Sequence, residues 1–223
     1  AYDPIDVHAS VVTGSMNVKN IVQNELASIK ISSVNHLDEP IADVSFHLAG
    51  GRRLGTDTTT LPVTPIYNFS ENGTTNSAGE KLYSSISPGG YAFVLTGSAL
   101  SDYEIISMNP PTPFSLLSSD GTLNVGLKLA EKDVTSLLIT VLDVSNDIPI
   151  AGAKVKLTNS SLNYEKELDT TSDGRAFFPD SSDPLLPEIY HVKITASGFS
   201  DSESDITINT NELKLETKKL TAS

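Results

Sequence analysis

Ser136-Leu137-Leu138-Ile139-Thr140-Val141-Leu142, then Asp143 to Pro149, then Ile150-Ala151-Gly152-Ala153-Lys154-Val155-Lys156-Leu157: this stretch decides the fold. Its first part is apolar and rich in β-branched residues, a strand composition. Its middle carries Asp, Asn and Pro, the residues of turns. Its last part alternates, with Ala153, Val155 and Leu157 on one side and Lys154 and Lys156 on the other. A period of two is that of a half-buried strand. The same sentence stands about 108 residues earlier. Ser28-Ile29-Lys30-Ile31-Ser32-Ser33-Val34 alternates, Asn35 to Pro40 turn, and Val44, Phe46 and Leu48 share a face in the strand that follows. Pro40-Ile41-Ala42 and Pro149-Ile150-Ala151 are identical tripeptides at the same place in the pattern.

The correspondence runs on. Thr74-Thr75-Asn76-Ser77-Ala78-Gly79 parallels Thr170-Thr171-Ser172-Asp173-Gly174, each a turn closing on the residue that accepts positive φ cheaply. Tyr91 to Thr96 parallels Tyr190 to Thr195, an aromatic heading an alternating strand. Leu123 to Leu129 and Asp205 to Ile208 are read as the two closing strands. The period is too long for a solenoid repeat and has the size of a whole sandwich. The chain is therefore expected to be all-β, two tandem immunoglobulin- or transthyretin-like antiparallel β-sandwiches with a short N-terminal segment. The expected parts are 1–27 (a short helix or an extra strand, from Val7, Val11, Val18 and Val22), 28–131 and 132–223. Ala130 to Thr135 joins the copies without Pro or Gly, which predicts a fixed relation between them. The first copy is the longer, enlarged at 50–73 and at 98–118, where Asn109-Pro110-Pro111-Thr112-Pro113 resists helix and central-strand pairing.

Composition excludes several function classes. The chain has 223 residues, 15 Lys+Arg against 28 Asp+Glu, a net charge of −13, and no Cys or Trp. Without Cys there is no disulfide, thiolate metal site or cysteine nucleophile. The acidic balance argues against a nucleic-acid groove. No apolar run reaches the length of a membrane helix, and no signal peptide is read at Ala1, so the chain is expected to be a processed piece whose anchor, if any, lies elsewhere.

The repeated order, with Ile150 to Leu157, Thr170-Thr171-Ser172-Asp173-Gly174-Arg175-Ala176-Phe177-Phe178 and Tyr190 to Phe199 as its clearer copy, resembles the carboxypeptidase regulatory-like family over residues 28 to 218. Collagen-adhesin B-type repeats look similar and share the transthyretin-like sandwich. Gly50-Gly51-Arg52-Arg53-Leu54-Gly55, Pro65-Ile66-Tyr67 and Asn109 to Pro113 also look like carboxyl-terminal regions of bacterial pilin-like proteins, although the prepilin helix is missing. The resemblance implies a spacer, stalk or accessory module at the cell surface, with no peptidase activity. Adhesin repeats of this type often carry a Lys–Asn isopeptide bond, for which Lys30 and Asn124 are the pair in copy one; copy two has Leu138 at the lysine position.

Catalytic and ligand-binding constellations are sparse. His8, His36, His47 and His191 do not converge in sequence, and no strained Gly-x-Ser-x-Gly elbow exists, so no enzyme is expected. No cofactor is expected; the oxygen-rich groups around Asp143, Asp147, Asp169, Asp173, Asp180, Asp183, Asp201, Glu203 and Asp205 make Ca²⁺ the ion to consider. Arg52, Arg53, Tyr67 and Phe69 form a candidate partner-binding patch, and Tyr83, Tyr103 and Tyr164 are candidate sugar-stacking rings. Asn68, Asn72 and Asn159 fit the Asn-x-Ser/Thr pattern. The expected function is a non-enzymatic, extracellular, cell-surface structural or adhesive module, with a pilus as one setting for it, presenting copy-one loops to other surface or pilus subunits or to a host or surface ligand. The alternative is a carbohydrate-binding accessory module of a secreted hydrolase or uptake system, with a glycan as partner.

Overall fold

The computed structural model describes residues 25–223. The reading of 1–27 as helix or strand, and His8, lie outside the described residues save for the last three positions. The first unit contains β1 (Ala27–Asn35), β2 (Ser45–Asp57), β3 (Thr64–Thr74), β4 (Glu80–Ile86), β5 (Gly89–Leu95), α1 (Gly97–Asp102), β6 (Tyr103–Asn109), β7 (Phe114–Leu116) and β8 (Thr122–Glu131). The second contains β9 (Ser136–Asp143), β10 (Lys154–Asn159), β11 (Tyr164–Asp169), β12 (Arg175–Phe178), β13 (Ile189–Thr195), β14 (Ser202–Thr207) and β15 (Leu213–Leu220). Sheet β4-β1-β8-β6 faces β3-β2-β5-β7, and sheet β12-β9-β15 faces β11-β10-β13-β14. The chain is thus two all-β sandwiches, each around its own core.

The alternations read from the sequence fall on the core faces. Ile29, Ile31, Ser33, Phe46 and Leu48 are fully buried in the first sandwich, and Ala153, Val155 and Leu157 in the second. The copies repeat down to single hydrogen bonds. Thr75 Oγ1 donates to the Ile41 carbonyl (3.1 Å) and accepts from the Val44 N–H (3.0 Å); Thr170 Oγ1 does the same with Ile150 (2.7 Å) and Ala153 (2.9 Å). Each hydroxyl satisfies two buried backbone groups that no ladder reaches. Gly79 and Gly174 close the equivalent turns at φ +72° and +71°. A Cβ there would lie 2.5 Å and 2.7 Å from the carbonyls of Ser33 and Val141. Tyr91 and Tyr190 head equivalent strands and each donates its hydroxyl to the carbonyl four residues back, Ser87 (2.7 Å) and Leu186 (3.1 Å).

Two sequence expectations change. The closing strand of copy two is β15, not Asp205 to Ile208. β15 pairs parallel with β9 as β8 pairs with β1, whereas β14 lies beside β13 as β7 lies beside β5. The reason is chemical. On β8 the core-facing positions are Leu123, Val125, Leu127 and Leu129; on β15 they are Lys214, Glu216, Lys218 and Leu220, so the apolar alternation is absent. With it, one sheet of each sandwich holds a parallel ladder, β1–β8 and β9–β15, where a purely antiparallel sandwich was expected.

The second change concerns residues 98–118, which are absorbed into the fold rather than displayed. β6 pairs with β8 and covers its edge, and β7 extends the opposite sheet. Ile106, on β6, packs with Ala130, Leu138 and Leu213 against Phe177 in a third apolar cluster between the sandwiches. We call this contact the waist. There His36 tilts against Phe177 with centroids 5.3 Å apart and donates from Nε2 to the Ser181 carbonyl at 2.9 Å, and Arg175 Nη1 donates to the Ile105 carbonyl. The linker without Pro or Gly is flanked by packed side chains from both units, so the two sandwiches are held together by more than their tether.

Candidate functional site: the β2–β3 arm

β2 begins near the waist and runs away from it. It pairs with β5 only from Phe46 to Gly51, while its pairing with β3 continues to Asp57 opposite Thr64. Beyond Gly51 and Phe69 the hairpin therefore leaves the sandwich as a two-stranded arm. Gly51 sits at its base with φ +77°, and a Cβ there would lie 2.5 Å from Asn68 Oδ1. Asn68 staples the base, accepting from the Arg52 N–H (2.7 Å) and donating to Ser87 Oγ (2.7 Å). Register shifts between Gly50 and Arg53 and between Arg53 and Gly55 twist the ribbon. At the tip Asp57 accepts from the Thr59 N–H and hydroxyl, which holds its carboxyl below the usual range.

The arm carries Leu54, Leu61, Val63 and Ile66 exposed, Leu61 at 95%. A ribbon of two strands without a covering layer is marginal in water, so this apolar surface is held out by its base alone. The predicted patch is partly assembled here. Arg53 and Tyr67 are cross-strand partners, and Arg52 precedes them, half of an exposed basic pair. Arg53 is tied locally, from Nε to the Gly55 carbonyl (3.1 Å) and from Nη2 to Thr56 Oγ1 (2.6 Å). Phe69 does not join the patch. It packs on the core, edge-on to Tyr83 at 5.3 Å and to Tyr91 at 5.8 Å. The four exposed apolar residues were missed by the sequence reading, although Leu54, Leu61, Val63 and Ile66 stand in it among turn-forming residues.

The remaining candidates are placed as follows. Lys30 and Asn124 are register neighbours on β1 and β8, on the outer face. Lys30 Nζ is ion-paired to Glu80 at 2.7 Å with a side chain 37% exposed. Tyr83 is buried, and Tyr164 is half-buried, edge-on to Tyr190 at 5.6 Å. His47 lies by Asn72 (2.9 Å) and His191 by Asp205 (2.9 Å) on exposed strand faces. Asn159 is buried and donates to the Ile189 carbonyl, so its amide is not a free glycan acceptor. The acidic groups are spent in turns and ion pairs: Asp143 accepts from Ser145, Asp147 meets Lys219, Asp169 meets Lys154, Asp180 meets Lys166, and Asp201 and Glu203 flank Lys193. Among the described residues no group of three or more His, Asp or Glu converges to hold a metal ion. No helix among them is long and apolar enough to cross a membrane.

Several of the other edge strands are guarded. Inward-pointing charge on an edge strand blocks pairing with another sheet. Lys81 on β4 shares the core face with Ile31, Glu71 on β3 with Leu48, Lys166 on β11 with Leu157, and Lys214, Glu216 and Lys218 on β15 with Leu137, Ile139 and Val141. The arm has instead a blunted backbone, with Pro65 in its outer strand, and unguarded apolar side chains.

No family model matches the chain, and no curated protein matches it, so the likeness to carboxypeptidase regulatory-like domains rests on the residue pattern. Solved structures similar to it include the Bacillus anthracis TIE protein (18% identity, TM-score 0.34, 89% of this chain and 34% of that one). A Streptococcal ancillary pilin is similar at 16% identity and TM-score 0.35, over 88% of this chain and 62% of that one. The minor pilin GBS52 of Streptococcus agalactiae is similar at 15% identity and TM-score 0.35, over 88% of this chain and 96% of that one. The chain thus spans about a third of the length of the first and under two thirds of the second. Function is read from the chain's own geometry.

Proposed function

We propose that the chain is a non-enzymatic structural module of an extracellular, cell-surface assembly, in which two sandwiches joined at the waist carry the β2–β3 arm to a protein partner. The observation that carries this reading is a contrast within one molecule. The edge strands β4, β11 and β15 bear inward charge, while the arm holds Leu54, Leu61, Val63 and Ile66 in water. Exposed apolar side chains gathered on one element mark a contact site. Other subunits of the same assembly are the partner class.

The test is excision of residues 52–67 with a two-residue turn joining Gly51 to Asn68. The excised chain should melt within a few degrees of the intact one, because no core side chain is removed. Expressed in the source cell, it should fail to enter the surface assembly. Incorporation at the intact level would refute the reading.

A further inference from the structure

We propose that a second copy of this chain is a partner of the arm, seated in the groove at the waist. This deepens the reading above and rests on it. The groove is a cavity of about 250 Å³ whose lining includes Ile41, Tyr103, Leu129, Phe177 and Pro184. It lies where two units meet, a common place for binding clefts. One rim is acidic: Glu131 lines the groove, and Asp102 and Asp133 adjoin it beside Tyr103. Burial and then these three carboxylates raise the Tyr103 hydroxyl pKa, which marks how closely they crowd the ring. Lys132 stands among them but is turned to the Leu100 carbonyl (2.8 Å) and Glu104 (3.6 Å). Among the described residues, Glu131 and Asp133 have no ion-pair partner.

The arm has the complementary make-up. Leu61 is a nearly bare apolar knob, and a leucine side chain fits within the groove's volume. The Arg52 guanidinium has no partner among the described residues. Within one molecule the two cannot meet, because β2 runs from the waist end of its sandwich toward the opposite pole and the arm continues outward from there. The contact is therefore between copies, pole to waist. Such a contact uses two different surfaces and does not close on itself, so it propagates as a string. The net charge of −13 opposes association at long range. At about 0.15 M salt that repulsion is screened beyond about 8 Å, while the Arg52 contact acts at closer range.

Sedimentation of the full chain from about 10 μM to about 1 mM, at about 0.15 M salt, tests this. The average mass should rise past a dimer with concentration. Leu61→Asp should leave a monomer, and Arg52→Glu or the pair Glu131→Arg with Asp133→Arg should each weaken association about tenfold or more. All these side chains are on the surface, so melting temperatures should hold. Combining Arg52→Glu with Glu131→Arg and Asp133→Arg should restore association, because only touching sites can exchange charge. A wild-type monomer throughout, indifference to Leu61→Asp, or a triple variant no better than its parents would overturn the proposal. If the wild type is monomeric while arm excision still blocks surface incorporation, the arm serves a different partner and the reading above stands.

Discussion

Leu138 stands in the second sandwich where Lys30 stands in the first, and the two meet opposite surroundings. Lys30 is opposite Asn124 on a face open to water, and Leu138 is opposite Leu215 and 3% exposed beneath the first sandwich. One strand is half-buried and reads Ile-Lys-Ile; the other is buried on both faces and reads Leu-Leu-Ile. Continuous apolar sequence is the mark of a strand covered on both sides.

That relationship predicts the outcome of exchanging the two residues. Leu138→Lys places a charge in the waist, removing about 1.5–3 kcal/mol of leucine burial and adding a cost for the unpaired ammonium. Both cores should persist while the waist opens. Small-angle scattering should show a larger radius of gyration, and the melt should split into two transitions. Lys30→Leu should shift stability by less than about 1 kcal/mol, the worth of an exposed ion pair. A compact Leu138→Lys chain with a single transition would contradict the role given to the waist.

Tyr83 predicts an alkaline signature. Its hydroxyl is buried without a hydrogen-bond partner, and its pKa is pushed up to about 12, by burial first and by Glu71 second. An unfolded tyrosine titrates near 10. The unfolded chain therefore loses its proton first, so stability is full below about pH 10 and falls as pH rises toward about 12. Tyr83→Phe should flatten that fall and leave stability at pH 7 equal or higher, since no bond is lost. Tyr164, also raised to about 12, should account for part of the remaining slope. Denaturant unfolding at several alkaline pH values reads both, and an unchanged slope in Tyr83→Phe would count against the assignment.

The guard on β15 predicts a gain of association. Lys218 and Glu216 pair at 3.0 Å with side chains only 17% and 29% exposed, turned toward the core at an open edge. Changing both to Val gives β15 the apolar face that β8 has, without a strand like β6 to cover it. The double variant should dimerise or aggregate at concentrations where the Leu61→Asp chain is monomeric, as light scattering would report. Continued solubility as a monomer would show that the charges do not guard the edge.

Much of the architecture was legible because the core obeys a period of two. Ile29, Ile31, Phe46 and Leu48 point inward as their spacing requires, and the twin Thr-Thr…Gly turns fix the copies in register. β15 was hidden because an edge strand that defends itself with lysines loses the pattern by which strands are read. Phe69 was misjudged because one residue of ribbon decides whether an aromatic lies at the base or on the arm. The arm itself could be seen only as an insertion; that it leaves the sandwich at Gly51 follows from where β5 ends, a non-local fact. The waist depended likewise on Ile106 and Phe177, which are far apart in sequence.

Hydrogen exchange along the β2–β3 hairpin tests most directly whether the arm stands outside the folded core. It should be measured on the monomeric Leu61→Asp chain, where no second copy can protect it. Amides from Phe46 to Gly50 should exchange only through global opening, and those from Leu54 to Ile66 within a small factor of the unprotected rate, with the break at Gly51 and Phe69. Protection of the arm equal to that of the strand bases would mean that it is part of the core, and the account of it as a presented element would fail.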